Sequence, residues 1–143
     1  MAGEEIKPAV MELTPGERIS RFMFGDRHYS AKKRLLKPGA FNPSPYDELS
    51  VGHTTGLDTA QIWQLGEVVR AHTKSPTLYA RADLDVAHVL EQKLKAVRDD
   101  QDYERHTNVI GWPVVADDDA KKRLWKHIAS ELADKATLVL PSD

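Results

Sequence analysis

Residues 117–140 read DDDAKKRLWKHIASELADKATLVL. Three aspartates stand at the front, where the positive end of a helix macrodipole favours negative charge. Behind them Ala120, Leu124, Ile128, Leu132 and Ala136 recur at every fourth position as one apolar stripe, which Trp125 and Ala129 widen. Lys121, Lys122 and Lys126 fall away from the stripe. Glu131 precedes Lys135 by four residues, the favourable order for a helical ion pair. The pattern predicts a helix with Leu124, Ile128 and Leu132 buried, then a return strand over 137–140. A covering helix needs a sheet beneath it. Short strand-like runs interspersed with helices upstream supply one, so the expected class is α+β: a small mixed or antiparallel sheet with two to three helices, the C-terminal amphipathic helix packed on one face.

Working back along the chain, Val109-Ile110 reads as a strand ended by Gly111-Trp112-Pro113. Leu94 and Val97 suit a helix or a strand equally. Asp83 is placed to cap a short helix holding Val86, Val89 and Leu90, after a strand over 78–81. Asp58 and Gln61 have capping-box spacing, with Leu57 and Ile62 at the staple positions. A helix therefore runs over 59–71, and Lys74-Ser75-Pro76 ends it. Leu49-Ser50-Val51 reads as a brief strand. Residues 38–47 are an irregular Pro-rich loop pinned by Ala40-Phe41. A strand runs from Ile19 through Phe24 to the Gly25-Asp26 turn, and His28-Tyr29 opens a second. Residues 1–16 read as a loose arm that docks one turn through Val10, Met11 and Leu13, and residues 17–143 as a single α+β domain.

The chain has 143 residues, the size of one domain, and its 41% apolar and 29% charged residues match a globular protein that holds its own core. It contains no cysteine, which excludes disulfides, thiolate metal sites and thiol nucleophiles. The net charge of -2 gives no whole-molecule attraction to nucleic acid or to an anionic membrane. The first residues carry acids where a signal peptide needs lysines. The longest apolar run, 109–116, is interrupted by Gly111 and Pro113 and falls far short of the roughly 20 residues that cross a bilayer. A cytoplasmic protein without membrane contact is expected.

The six histidines show no metal-ligand spacing, so no metal site is expected, and no Gly-rich phosphate loop or Gly-x-Ser-x-Gly elbow is present. No cofactor is implied. Charge is segregated instead. Arg27, Lys32, Lys33, Arg34 and Lys37 are five positive charges with no acid among them, and His28 and Tyr29 lie inside the run. Residues 27–37 are thus where nucleic acid could be held, by phosphate pairing and base stacking; a solvated loop is the plainer reading. Asp99, Asp100, Asp102, Glu104 and Asp117 to Asp119 form an acidic counterpart that suits a charge-complementary protein partner. His106 and Asn108 share strand parity and should face one way, with His28 and Arg21 near them.

Two resemblances bear on these residues. His53-Thr54-Thr55 resembles the His-x-Thr/Ser element of the 2H phosphoesterases, in which paired imidazoles on facing strands act on a phosphodiester. His106-Thr107-Asn108 departs from the second such element in its last residue, and Gly56 replaces the apolar residue expected after the first. More broadly, the order Arg21, His28-Tyr29, Ala40-Phe41, Leu49-Ser50-Val51, His106-x-Asn108-x-Ile110-Gly111-Trp112-Pro113 and a final amphipathic helix resembles a group of small uncharacterised bacterial proteins, over most of residues 18–140. That resemblance implies no activity; it points to Arg21, His28, Ser50, His106 and Asn108.

Two function classes follow. In the first, a small cytosolic accessory protein binds a macromolecular partner, a protein above all, through Arg21, Tyr29, Lys32, Lys33, Arg34, Ser50 and Asn108. In the second, a metal-independent enzyme or toxin-like protein acts on RNA or a nucleotide phosphodiester, with His28 and His106 as catalytic acid and base and Arg21 holding the anion.

Overall fold

The computed structural model describes residues 10–143. Seven strands form one antiparallel sheet: β1 (Val10–Glu12), β2 (Arg18–Met23), β5 (Leu49–His53), β6 (Ala80–Asp85), β7 (Lys95–Asp99), β8 (His106–Ile110) and β9 (Thr137–Val139), in the spatial order β1-β7-β8-β5-β2-β6-β9. A separate hairpin pairs β3 (Tyr29–Ser30) with β4 (Leu35–Leu36). Three helices, α1 (Thr59–Thr73), α2 (Val86–Glu91) and α3 (Asp118–Lys135), and a 3-10 helix at Pro38–Phe41 complete the α+β domain. Among the described residues no helix is long and apolar enough to cross a membrane.

Strand alternation sorts the core into two layers. Ile19 and Met23 of β2 join Val51, Val109, Ala82 and Leu138 in the main core, under α2, α3 and Ala40-Phe41. Phe22 points the other way, onto Ile62, Leu65 and Val69 of α1. The start of α1 is fixed by the expected capping box: Gln61 N donates to Asp58 Oδ1 at 2.8 Å, and Asp58 N donates to Gln61 Oε1 at 3.0 Å. The same end buries Ile62, with Leu57 partly buried beside it.

The structure departs from the sequence reading in some details and decides others. The stretch read as a loose arm contributes an edge strand: β1 pairs with β7, Leu13 is buried and Leu13 N donates to Ala96 O at 2.8 Å. Residues 1–9 of that arm lie outside the described residues. Asp83 does not cap α2, because β6 runs on to Asp85; Asp83 instead accepts from Ser20 Oγ at 2.6 Å and Arg81 Nε at 3.1 Å. Leu94 and Val97, open to either element, flank and occupy strand β7. In α3 the side chains facing the core are Trp125, Ile128, Ala129, Leu132 and Ala133, while Leu124 is 37% exposed. A strict four-residue repeat drifts off a 3.6-residue turn, so the buried face follows alternating steps of three and one. Lys121, expected to face away, lies with Nζ 4.9 Å from the centroid of the Trp125 ring.

Truncating Ile128 to Ala should cost about 2–5 kcal/mol in denaturant unfolding, since it deletes buried methyl groups and leaves a cavity. Leu124→Ala should stay near half a kcal/mol, the range of surface substitutions. The reverse order would show that the helix is rotated from the face described.

Candidate functional site

The site begins where two strands part. β2 pairs with β6 along its whole length but with β5 only at Ile19↔His53 and Ser20↔Gly52. Arg18 O accepts from Thr54 N on the β5 side, and Met23 O accepts from Tyr79 N on the β6 side. Main-chain groups of residues 18, 20 and 22 therefore turn toward β5. Past Ser20 the register with β5 has ended, and Phe22 faces the gap. Arg21 fills it: Nε donates to Ala40 O at 3.1 Å and Nη1 to Ser50 O at 2.8 Å. Continuing the register would have set Ser50 opposite Phe22, so the guanidinium occupies a carbonyl that a strand would otherwise take.

A cavity of about 790 Å³ opens beside this gap. Arg21 lines it together with Ser50 of β5, His106 and Asn108 of β8, His72 near the end of α1, and Tyr103 of the β7–β8 loop. His106 and Asn108 lie opposite Gly52 and Ser50, on the face away from the main core, while Thr107 and Val109, which alternate with them, are buried in the other direction. Tyr103 packs edge-on to both imidazoles, 5.3 Å from His72 and 5.0 Å from His106 between ring centroids. Its Oη is buried with no well-aligned hydrogen bond among the described residues, Ser50 being the polar group beside it. Burial raises the phenol above its ordinary pKa, with Ser50 and Arg21 pulling it back. His106 Nδ1 lies 3.3 Å from Asp99 O. A carbonyl only accepts, so this contact places a proton on Nδ1, and in the neutral ring Nε2 is the acceptor. Burial lowers the Arg21 pKa, but a guanidinium keeps its charge throughout the working pH range.

The loop that carries Tyr103 is anchored from below. Asp100 receives both Arg98 Nε at 2.8 Å and Arg98 Nη2 at 2.9 Å, and also Arg105 N at 3.1 Å. Arg98 holds the Asp100 carboxyl below its ordinary pKa, assisted by Arg105. Arg105 has φ 74° and donates from Nη1 to His53 O at 3.0 Å. His53 is 5% exposed. A guanidinium only donates, so the 3.0 Å contact from Arg98 Nη1 makes His53 Nδ1 an acceptor and puts the imidazole proton on Nε2. Nε2 lies 3.1 Å from Glu17 Oε1 but off the line of a good hydrogen bond. Burial lowers the His53 pKa; Glu17 opposes this, and Arg98 and Arg105 add to it.

The structure brings together Arg21, Ser50, His106 and Asn108 of the residues singled out by sequence. It does not bring His28 to them. His28 lies over Gly39, where a Cβ would sit 2.3 Å from its Nδ1, and lines a separate cavity of about 240 Å³ with Arg21 and Arg27. The pair His28 and His106 is thus divided, because the turn after β2 carries His28 to the 3-10 helix. The basic run is divided too. Tyr29 is packed against the main core, Lys32 and Lys33 are exposed at the hairpin turn, and Arg34 pairs with Asp143 at 2.6 Å and with Leu138 O at 3.2 Å. His53 cannot pair with His106 in the manner of a 2H phosphoesterase: His106 lies opposite Gly52, so adjacent His53 faces the other side of the sheet. Sequence reasoning missed His72 and Tyr103. The C-terminal turn of α1 favours a cation, which marked His72 faintly; nothing local marked Tyr103 within its acidic loop.

The His53 cluster makes stability depend on pH. Its native pKa is depressed, so the unfolded imidazole takes up a proton first as pH falls. Stability should be full above pH ~6.5, the ordinary imidazole value, and should decline below it until the native imidazole also protonates. His53→Gln should flatten the change in melting temperature between pH 7 and 5.5. An unchanged slope in the variant would remove His53 as its source.

Comparison with known proteins adds no family to this geometry: no family model, no curated protein and no solved structure matches the chain.

Proposed function

We propose that the protein is a binding module whose large cavity receives a basic segment of a protein partner. The observation that carries this reading is the charge of the cavity wall. Among the described residues Glu48, Asp99 and Asp102 contribute three carboxylates against one guanidinium, that of Arg21, an excess of negative charge. A concave surface with an excess of one sign focuses its field on the opposite charge. Tyr46, 72% exposed, and Tyr103 add aromatic faces on which a guanidinium or ammonium can rest. Glu48 also lines a neighbouring groove of about 400 Å³ walled by Trp112, Val114 and Trp125, where Val114 is 98% exposed. Together the two suit an extended segment with an apolar residue beside a basic one.

One observation favours a second reading, an enzyme acting on a nucleotide phosphodiester. The Asp99 carbonyl fixes the His106 tautomer, the arrangement a general base needs. In that reading His72, not His28, is the second imidazole. The three wall carboxylates weigh against a polyanionic substrate.

Fluorescence anisotropy with labelled hexapeptides tests the two. Arg-containing peptides should bind, weaken with added salt, and lose about ten-fold in affinity, or about 1.4 kcal/mol, in the Glu48→Gln/Asp102→Asn double variant. Glu-containing peptides should not bind. Equal binding of both kinds, or none, would remove the proposal. Cleavage of a dinucleotide that vanishes in His106→Ala would install the enzyme reading in its place.

A further inference from the structure

The smaller cavity has the opposite character. Its charged lining comes from Arg21 and Arg27, with His28 beside them, set among Phe22, Met23, Phe24 and Ala40, and none of the described residues that line it is acidic. Both bonded partners of Arg21 are neutral carbonyls, so its charge is not cancelled by a bonded carboxylate. Lys37 adds a fourth basic group: Lys37 N donates to His28 O at 2.9 Å, which brings the two residues together. Asp26, the carboxylate nearest in sequence, is exposed and bears on Tyr29. Phe22, whose main chain faces the gap left by β5, completes one wall.

We propose that this cavity is a binding site for a phosphate-class oxyanion, held by Arg21, Arg27 and His28. Two of its three groups are placed before any ligand arrives, and the third, Arg27, is exposed. Arg21 is fixed by its two carbonyl bonds, and His28 is fixed over Gly39. A volume of about 240 Å³ accommodates a single tetrahedral anion with its water. Like charges held close repel, and a bound dianion relieves that repulsion. His28 reports it directly. Its pKa is held below the ordinary value by burial and by Arg27, Arg21 and Lys37, so an anion between these groups must move it upward. The site shares Arg21 with the acidic cavity but no other described residue, and phosphate binding is measured without the partner proposed there.

NMR titration of the full chain with inorganic phosphate at constant ionic strength is the test. Saturable shifts are expected at the His28 ring and the Phe22 amide, with an upward move of the His28 pKa and at least ten-fold weaker binding of acetate. Arg27→Gln should weaken phosphate several-fold while the chain stays folded by amide spectrum. Absence of saturation, acetate binding as tightly as phosphate, or an unaffected Arg27→Gln variant would overturn the proposal. So would an oligonucleotide that binds through Lys32 and Lys33 while phosphate leaves His28 unmoved, since the anion site would then be the hairpin.

Discussion

The parting of β2 from β5 is the constraint on which the other functional features depend. A sheet that paired these strands to their ends would be closed at this point, with Ser50 O satisfied by the neighbouring main chain. Instead the ladder stops after Ser20↔Gly52, and Arg21 donates to Ser50 O and Ala40 O. A half-buried main-chain carbonyl needs a donor, and a guanidinium supplies several from one rigid fork. It ties the 3-10 helix to β5 across the gap. Phe22 packs against Gly52 and Gly66, where a Cβ would come within 3.1 Å and 2.8 Å of its ring and nearer still to Leu65 and Leu78.

Because Arg21 lines both cavities, one residue stands between two regions of opposite charge. The larger is walled by carboxylates and aromatic rings; the smaller combines two arginines and a histidine with apolar side chains. In sequence these two regions lie far apart, residues 21–28 on one side and 99–108 on the other. They meet because the sheet order places β8 beside β5 and β5 beside β2. Part of the charge segregation visible along the chain becomes a segregation across the two sides of Arg21 in the fold.

The acidic loop is less exposed to chance than its composition suggests. Asp100 is not a free surface charge: it is the acceptor for Arg98 and for the Arg105 amide, and Arg98 passes the contact on to His53. This network sets where Tyr103 stands between His72 and His106. Partly buried charges of this kind are retained only when they are matched, since an unmatched one costs several kcal/mol. Removing Asp100 would therefore disturb the loop and the cavity together.

Local pattern determined much of the chain's secondary structure. The capping box at Asp58 and Gln61, the aspartates before α3, and the parity of His106 and Asn108 are all written in residues a few positions apart, and short-range hydrogen bonding and periodicity enforce them wherever the chain folds. The α+β class followed from the same local signals. What only the tertiary structure decided are the features that require pairing across long separations. Leu124 lost its place to Trp125 because the helix face is set by what it packs against. Val10–Glu12 became a strand because β7 offers an edge. His28 and His106 were assigned to separate cavities, and His72 and Tyr103 to a shared one, by strand order and loop anchoring. No spacing in the sequence encodes those distances, because they arise from which strands become neighbours, and that is settled by the burial of the whole core.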